Sequence, residues 1–228
     1  MLTMSILDNY RALQQEIAET AHACNRKIEE IKLIAVTKKQ PWESISSLYK
    51  EGCQNFGENR IQEALSKIKQ APQECQWHFI GPLQKNKVRK AVGPFVLIHS
   101  VDSLELASKI AEVSKQLNLT TAILLQVNTS QEKSKQGMSY EECYQNFNDF
   151  LSLPHLEVQG LMTMAPLTDN EKIIAKSFER LRGLKESLLK DYKPFNQLPH
   201  LSMGMSQDFK LAIREGATLL RIGSKIWH

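Results

Sequence analysis

Ile31-Lys32-Leu33-Ile34-Ala35-Val36-Thr37-Lys38-Lys39 is a short apolar, β-branched run that ends in two lysines and is followed by Gln40-Pro41. Runs of this length read as strands buried on both faces, usually within a parallel sheet. Side chains alternate along a strand, so Ile34, Val36 and Lys38 share one face while Leu33, Ala35 and Thr37 share the other. Lys38 therefore continues a buried row, where an amine is costly unless it has a partner or a use. The simpler possibility is that Lys38 is the first exposed residue after the strand.

Outward from this run the chain alternates strand and helix. Residues 3–28 form an amphipathic helix, with Ile6, Tyr10, Leu13, Ile17, Ala21 and Cys24 recurring every three or four positions. After the 31–37 strand, Pro41 opens a helix that stops at Gly52. Six further strands are expected near 54–56, 77–80, 95–99, 121–127, 156–161 and 198–202, and an eighth near 218–222. Helices separate them, with Asp102 or Ser103 capping the one that runs to Leu117 and Asp169 preceding the one that runs to Lys190. Strands that alternate with helices argue for a parallel sheet, and the size suits a (β/α)8 barrel of α/β class better than an open sheet. No helix is expected after the eighth strand, and the extra N-terminal helix is expected to cover that gap. Residues 1–228 read as one domain.

The bulk composition excludes several classes. The 228 residues are 42% hydrophobic and 24% charged with a net charge of +4, ordinary for a globular protein and too weakly basic to indicate nucleic acid. Cys24, Cys53, Cys75 and Cys143 lie far apart without a CxxC pair, so neither a metal site nor a disulfide framework is expected. No apolar run is long enough to span a bilayer, and the N-terminus lacks a basic leader, so a cytoplasmic protein with no membrane partner is expected.

In barrels of this kind the chemistry collects at the C-terminal ends of the strands, often with a phosphate site after strands seven and eight. There the chain has Ser202-Met203-Gly204-Met205-Ser206, with Ser206 placed to start a helix, and Arg221-Ile222-Gly223-Ser224. Glycine allows close backbone approach, and hydroxyls with free amides at a helix start suit an anion. Lys38 ends strand one, which lies beside strand eight in a closed barrel. A lysine amine, a phosphate cradle and an arginine facing one mouth suit Schiff-base chemistry on a phosphorylated aldehyde, either a sugar phosphate or pyridoxal 5′-phosphate (PLP).

Six ordered motifs, Ala35-Val36-Thr37-Lys38, Asn55-Phe56-Gly57-Glu58-Asn59, Trp77-His78-Phe79-Ile80-Gly81, Gly160-Leu161-Met162-Thr163-Met164, Ser202-Met203-Gly204-Met205-Ser206 and Arg221-Ile222-Gly223-Ser224, resemble the pyridoxal phosphate homeostasis protein family. That family has a single barrel similar to the N-terminal domain of alanine racemases. The resemblance implies that Lys38 carries PLP as an aldimine. It further implies that Ser206, Gly223 and Ser224 hold the phosphate beside Met205, that Arg221 faces the pyridine nitrogen, and that Asn59 lies near the ring. Pro82 and Lys85 depart from the family pattern. The racemases also use a second base from a β-domain, which this chain is expected to lack, ending soon after the barrel.

An arginine hydrogen-bonds the pyridine nitrogen without protonating it, which restrains carbanion chemistry. The expectation is a non-catalytic, monomeric PLP carrier in vitamin B6 balance, with PLP-dependent apo-enzymes as possible recipients. A stand-alone racemase is the alternative, and a Schiff-base aldolase fits the geometry but not the resemblance. Lys85, Lys87, Arg89 and Lys90 read as a solvated helix face, and Lys133 and Lys135 as a polar loop or a point of access for a second cofactor molecule. His78 either lines the mouth or satisfies a hydrogen bond in the core. Met162, Met164, Met203 and Met205 read as soft packing around the mouth.

Overall fold

Strand alternation sorts the side chains of β1 (Lys32–Val36) into two environments. Ile34 joins Leu97, Leu124, Met162 and Leu219 in a small apolar cluster inside the barrel, while Ala35 belongs to the large cluster between strands and helices. The same split recurs along β8 (Leu219–Ile222), where Leu219 points inward and Leu220 and Ile222 outward.

The computed structural model describes residues 5–130, 132, 135–193 and 197–228. Lys133 lies outside the described residues. The remaining strands are β2 (Asn55–Glu58), β3 (Gln76–Phe79), β4 (Leu97–Val101), β5 (Thr121–Gln126), β6 (Leu156–Met162) and β7 (His200–Ser202). All pair in parallel in chain order, and β8 closes on β1 with Ile34 opposite Arg221, giving the eight-stranded α/β barrel.

The helices are α1 (Ile6–Ala23), α2 (Trp42–Lys50), α3 (Ile61–Ile68), α4 (Val88–Ala91), α5 (Leu104–Gln116), α6 (Tyr140–Gln145), α7 (Phe147–Leu151), α8 (Glu171–Tyr192), α9 (Phe209–Arg214) and α10 (Ser224–Trp227). Ser5 and Asp8 cap α1 reciprocally, and Tyr10, Leu13, Ile17 and Ala21 form its buried stripe. Ser103 rather than Asp102 caps α5, because the serine Oγ accepts from the Leu106 amide. Asp169 precedes α8 as expected, and Asn170 caps it, accepting from the Lys172 and Ile173 amides. The single helix expected over 139–152 is two, meeting at Asn146.

The expectation of no helix after β8 is corrected by α10, which turns at Gly223. The N-terminal helix does cover this side of the barrel, packing on α9 and α10. Asn9 Nδ2 donates to the Ile226 carbonyl at 3.3 Å, and Glu16 pairs with both Lys210 and Lys225. Among the described residues no helix is long and apolar enough to cross a membrane.

Candidate active site at the C-terminal mouth

The backbone leaves β1 after Val36 and turns. Thr37 still bonds the neighbouring strand through its amide to the Gly57 carbonyl, at 2.9 Å. The Gln40 amide then closes back on the Thr37 carbonyl at 3.0 Å, and Lys39 takes a left-handed φ of 64°. Lys38 is exposed, so the expected continuation of the buried row into a desolvated amine is corrected. The physical reason is the turn: Lys38 and Lys39 are both outside the strand, and alternation no longer assigns either a face.

The base of that turn is firmly held. Thr37 and Glu58 are fully buried, on the outer face of the strands beneath α3. Thr37 Oγ1 donates to Glu58 Oε1 at 2.5 Å, and Lys67 Nζ reaches Glu58 Oε1 at 2.6 Å and the Thr37 carbonyl at 2.8 Å. The second carboxylate oxygen of Glu58 has no hydrogen-bond partner among the described residues.

Strand eight's loop sits directly against β1. Trp227 Nε1 donates to the Val36 carbonyl at 2.7 Å, and a Cβ added at Gly223 would lie 3.3 Å from the Val36 Cβ. The loop after β7 joins the same cluster, since the Lys225 amide donates to Ser206 Oγ at 3.3 Å. Ser206 does not start a helix as expected. Asp208 precedes α9 instead, its carboxylate accepting from the Met205 amide at 2.5 Å while its own amide bonds the Met205 carbonyl. Gly204, at φ 93°, lets this loop press against α9, where an added Cβ would lie 2.6 Å from the Ala212 Cβ. Ser224 and Met205 are exposed, and Ser206 and Gly223 are half-buried.

Asn59 follows β2 and is half-buried, with its backbone against Gly81, where a Cβ would come within 2.2 Å of the Asn59 carbonyl oxygen. The described contacts thus join Lys38's strand, Ser206, Gly223 and Ser224 in one rim. Asn59 stands just past the end of the adjoining strand, and no contact between its side chain and that rim is found among the described residues.

Arg221 lies deeper, 5% exposed, on the inward row of β8. Its Nη1 donates to Ser202 Oγ at 2.6 Å and its Nη2 to the Thr163 carbonyl at 2.8 Å. Both acceptors are neutral, so the guanidinium charge has no carboxylate in contact among the described residues. Burial lowers its pKa to about 10, with Asp208 opposing from a distance, and it remains a cation at neutral pH. Burial in turn raises the Asp208 carboxyl. A buried, weakly compensated cation favours an anionic ligand in the mouth.

Behind Arg221 runs a polar chain that sequence patterning did not reveal. Ser202 Oγ meets His99 Nδ1 at 2.8 Å, His99 Nε2 meets His78 Nδ1 at 3.0 Å, and His78 Nε2 meets Asn55 Oδ1 at 3.2 Å. His78 therefore serves the core rather than the rim. Burial brings its pKa down to about 3 and that of His99 well below the usual value. The available signal was the alternation of Leu97 with His99 and of Leu219 with Arg221, which places His99 and Arg221 on inward rows.

Other expected features resolve simply. Lys85 pairs with Glu105, Arg89 donates to Gln116, and Lys87 and Lys90 are exposed, as a solvated face should be. Met162 is buried inside the barrel with Met164 packed beside it, Met203 lies in the outer core, and Met205 is 38% exposed. The four cysteines are free.

Residues 8–227 match the family model of the alanine racemase N-terminal domain. A pyridoxal phosphate homeostasis protein of Aquifex aeolicus is 37% identical over 225 residues, covering 98% of each chain. One from Haemophilus influenzae is 36% identical over 98% of this chain and 95% of its own. Among solved structures, PipY of Synechococcus elongatus with PLP bound superposes with a TM-score of 0.82 at 34% identity, over 93% of this chain and 100% of that one. An alanine racemase of Clostridium difficile superposes with a TM-score of 0.77 at 15% identity, over 94% of this chain and 58% of its own, a likeness of fold alone.

Proposed function

The chain belongs to the pyridoxal phosphate homeostasis protein family, and from that membership we propose that it binds PLP and serves intracellular PLP homeostasis, holding the cofactor as a Schiff base on Lys38 without substantial catalysis. The observation that carries this is the meeting of three loops at one mouth above a buried arginine with no carboxylate in contact among the described residues. An exposed amine, two rim hydroxyls and a buried cation are the donor set that an aldehyde bearing a phosphate needs.

In this account Lys38 is the covalent anchor, and its exposure leaves the amine open to an incoming aldehyde. Ser206, Gly223 and Ser224 hold the phosphate, Met205 packs beside them, Asn59 lies near the ring, and Arg221 donates to the pyridine nitrogen. PLP, when bound, supplies an aldehyde and a conjugated ring that withdraws electrons from an attached carbon. Arg221 keeps its proton at neutral pH, so it can orient the pyridine nitrogen but not protonate it. That limits electron withdrawal and favours carrying the cofactor over turning over amino acids. We further propose that residues 1–228 act as one domain, as a cytoplasmic monomer, and that PLP-dependent apo-enzymes are candidate recipients.

The test has two arms. Incubation with PLP should give a visible absorbance band that survives gel filtration; its absence would refute the proposal. Incubation of the loaded protein with single L-amino acids in deuterated water should give neither the D-enantiomer nor deuterium at Cα. Steady formation of both would establish the racemase instead.

A further inference from the structure

The buried chain behind Arg221 has a direction that donor and acceptor chemistry determines. Asn55 Oδ1 can only accept, so His78 Nε2 carries a proton and donates it. A neutral His78 then offers a lone pair at Nδ1, which accepts from His99 Nε2–H. His99 in turn has a lone pair at Nδ1, which accepts the Ser202 hydroxyl proton. The oxygen of Ser202 is thereby turned to accept from Arg221 Nη1. In the opposite sense Ser202 would receive from both His99 and Arg221, and its own proton would need a third partner, which is not found among the described residues.

We propose that His99, acting through Ser202, is a positioning residue for Arg221: the neutral Nε2–H tautomers of His78 and His99 fix the serine as an acceptor and so aim the guanidinium within the mouth. This rests on the assignment of Arg221 to the PLP pyridine nitrogen. With Ser202 Oγ and the Thr163 carbonyl occupying one proton on each terminal nitrogen, the fork is held at two points and its remaining donors are directed elsewhere. Burial is the main reason that His99 stays uncharged, and the charges that His78 on β3, Arg221 on β8 and His200 on β7 can carry act in the same sense.

Two measurements test it. Nitrogen-15 NMR of the histidine-labelled protein without PLP should show Nε2 protonated and Nδ1 unprotonated on both rings, unchanged between about pH 5.5 and 8.5. A protonated Nδ1 on His99, or titration of its ring in that range, overturns the proposal. The second compares affinity for PLP with affinity for its analogue in which C–H replaces the pyridine nitrogen. The wild type should prefer PLP. Ser202→Ala and His99→Leu should each lower that preference about fivefold, the scale of one misdirected hydrogen bond. His99→Asn, which keeps an acceptor for the serine, should restore most of it. A merely structural role would weaken both ligands alike and leave the ratio unchanged, which overturns the proposal. A wild type that does not distinguish the two ligands overturns the Arg221 assignment itself, and the proposal with it.

Discussion

Lys67 Nζ donates to the carbonyl oxygen of Thr37 at 2.8 Å, so a helix lysine grips the residue immediately before the proposed anchor Lys38. Its other contact, Glu58 Oε1 at 2.6 Å, makes this a buried ion pair, with the side chains 9% and 0% exposed.

Breaking one half of such a pair is worse than removing both, because an uncompensated charge is left inside. Lys67→Met should destabilise the protein by about 3–5 kcal/mol, and Lys67→Met with Glu58→Leu should recover most of that loss. Urea unfolding of the three proteins measures this. Equal stability of Lys67→Met and the wild type would remove the clamp from the account.

Trp227 ties the other side of the same strand end through its bond to the Val36 carbonyl. Trp227→Phe keeps most of the ring but leaves that oxygen without its donor, at a cost of about 1–2 kcal/mol. The same unfolding assay reads it, and an unchanged midpoint would mean that the bond contributes nothing net.

His78, lowered to about 3, and His99, lower than usual, give a signed dependence on pH. Both stay neutral in the folded protein, while the unfolded chain protonates them near 6.5. The unfolded state therefore binds more protons as pH falls, and their contribution is complete above 6.5 and lost progressively below it. Moving from pH 8 to 5.5 should remove about 3 kcal/mol of stability through the two rings together. Because His200, held at about 4 by burial, charges on unfolding over the same interval, His78→Asn should lessen the total loss from the three rings by about a third. An equal loss in wild type and variant would show that these rings do not govern the dependence.

Gly81 faces the Asn59 backbone so closely that any side chain must displace it. Gly81→Ala should destabilise the protein by about 2 kcal/mol or more and weaken PLP binding by moving Asn59. Fluorescence titration alongside thermal unfolding separates the two effects. Unchanged affinity with lowered stability would remove Asn59 from the ring contacts.

Most of the barrel is legible in the sequence because its signal is local: β-branched runs such as 31–36 and 121–126 alternate with periodic helices. Turn geometry is less visible. The left-handed Lys39 and the early end of β1 go with the Gln40–Thr37 bond and with the Trp227 bond from α10 to the Val36 carbonyl, which alternation alone does not contain. The Ser206 loop misleads for a similar reason, since a serine there looks like a helix cap while Asp208 stands immediately before α9. Lys67 and Glu58 look like ordinary surface charges until α3 folds over β2 and brings them together. His99 and Ser202 are separated by 103 residues, so their bond appears only when the barrel closes. The family motifs include Ser206, Gly223 and Ser224, which the fold brings to one rim, and the roles of these residues toward PLP are proposals from that membership.

Sodium borohydride reduction after PLP loading, followed by peptide mass mapping, tests the central claim most directly. Wild type and Lys39→Ala should both carry the reduced PLP adduct on Lys38, and Lys38→Ala should carry none. An adduct that persists in Lys38→Ala at another lysine with wild-type yield, or a wild type left unmodified, would contradict the account.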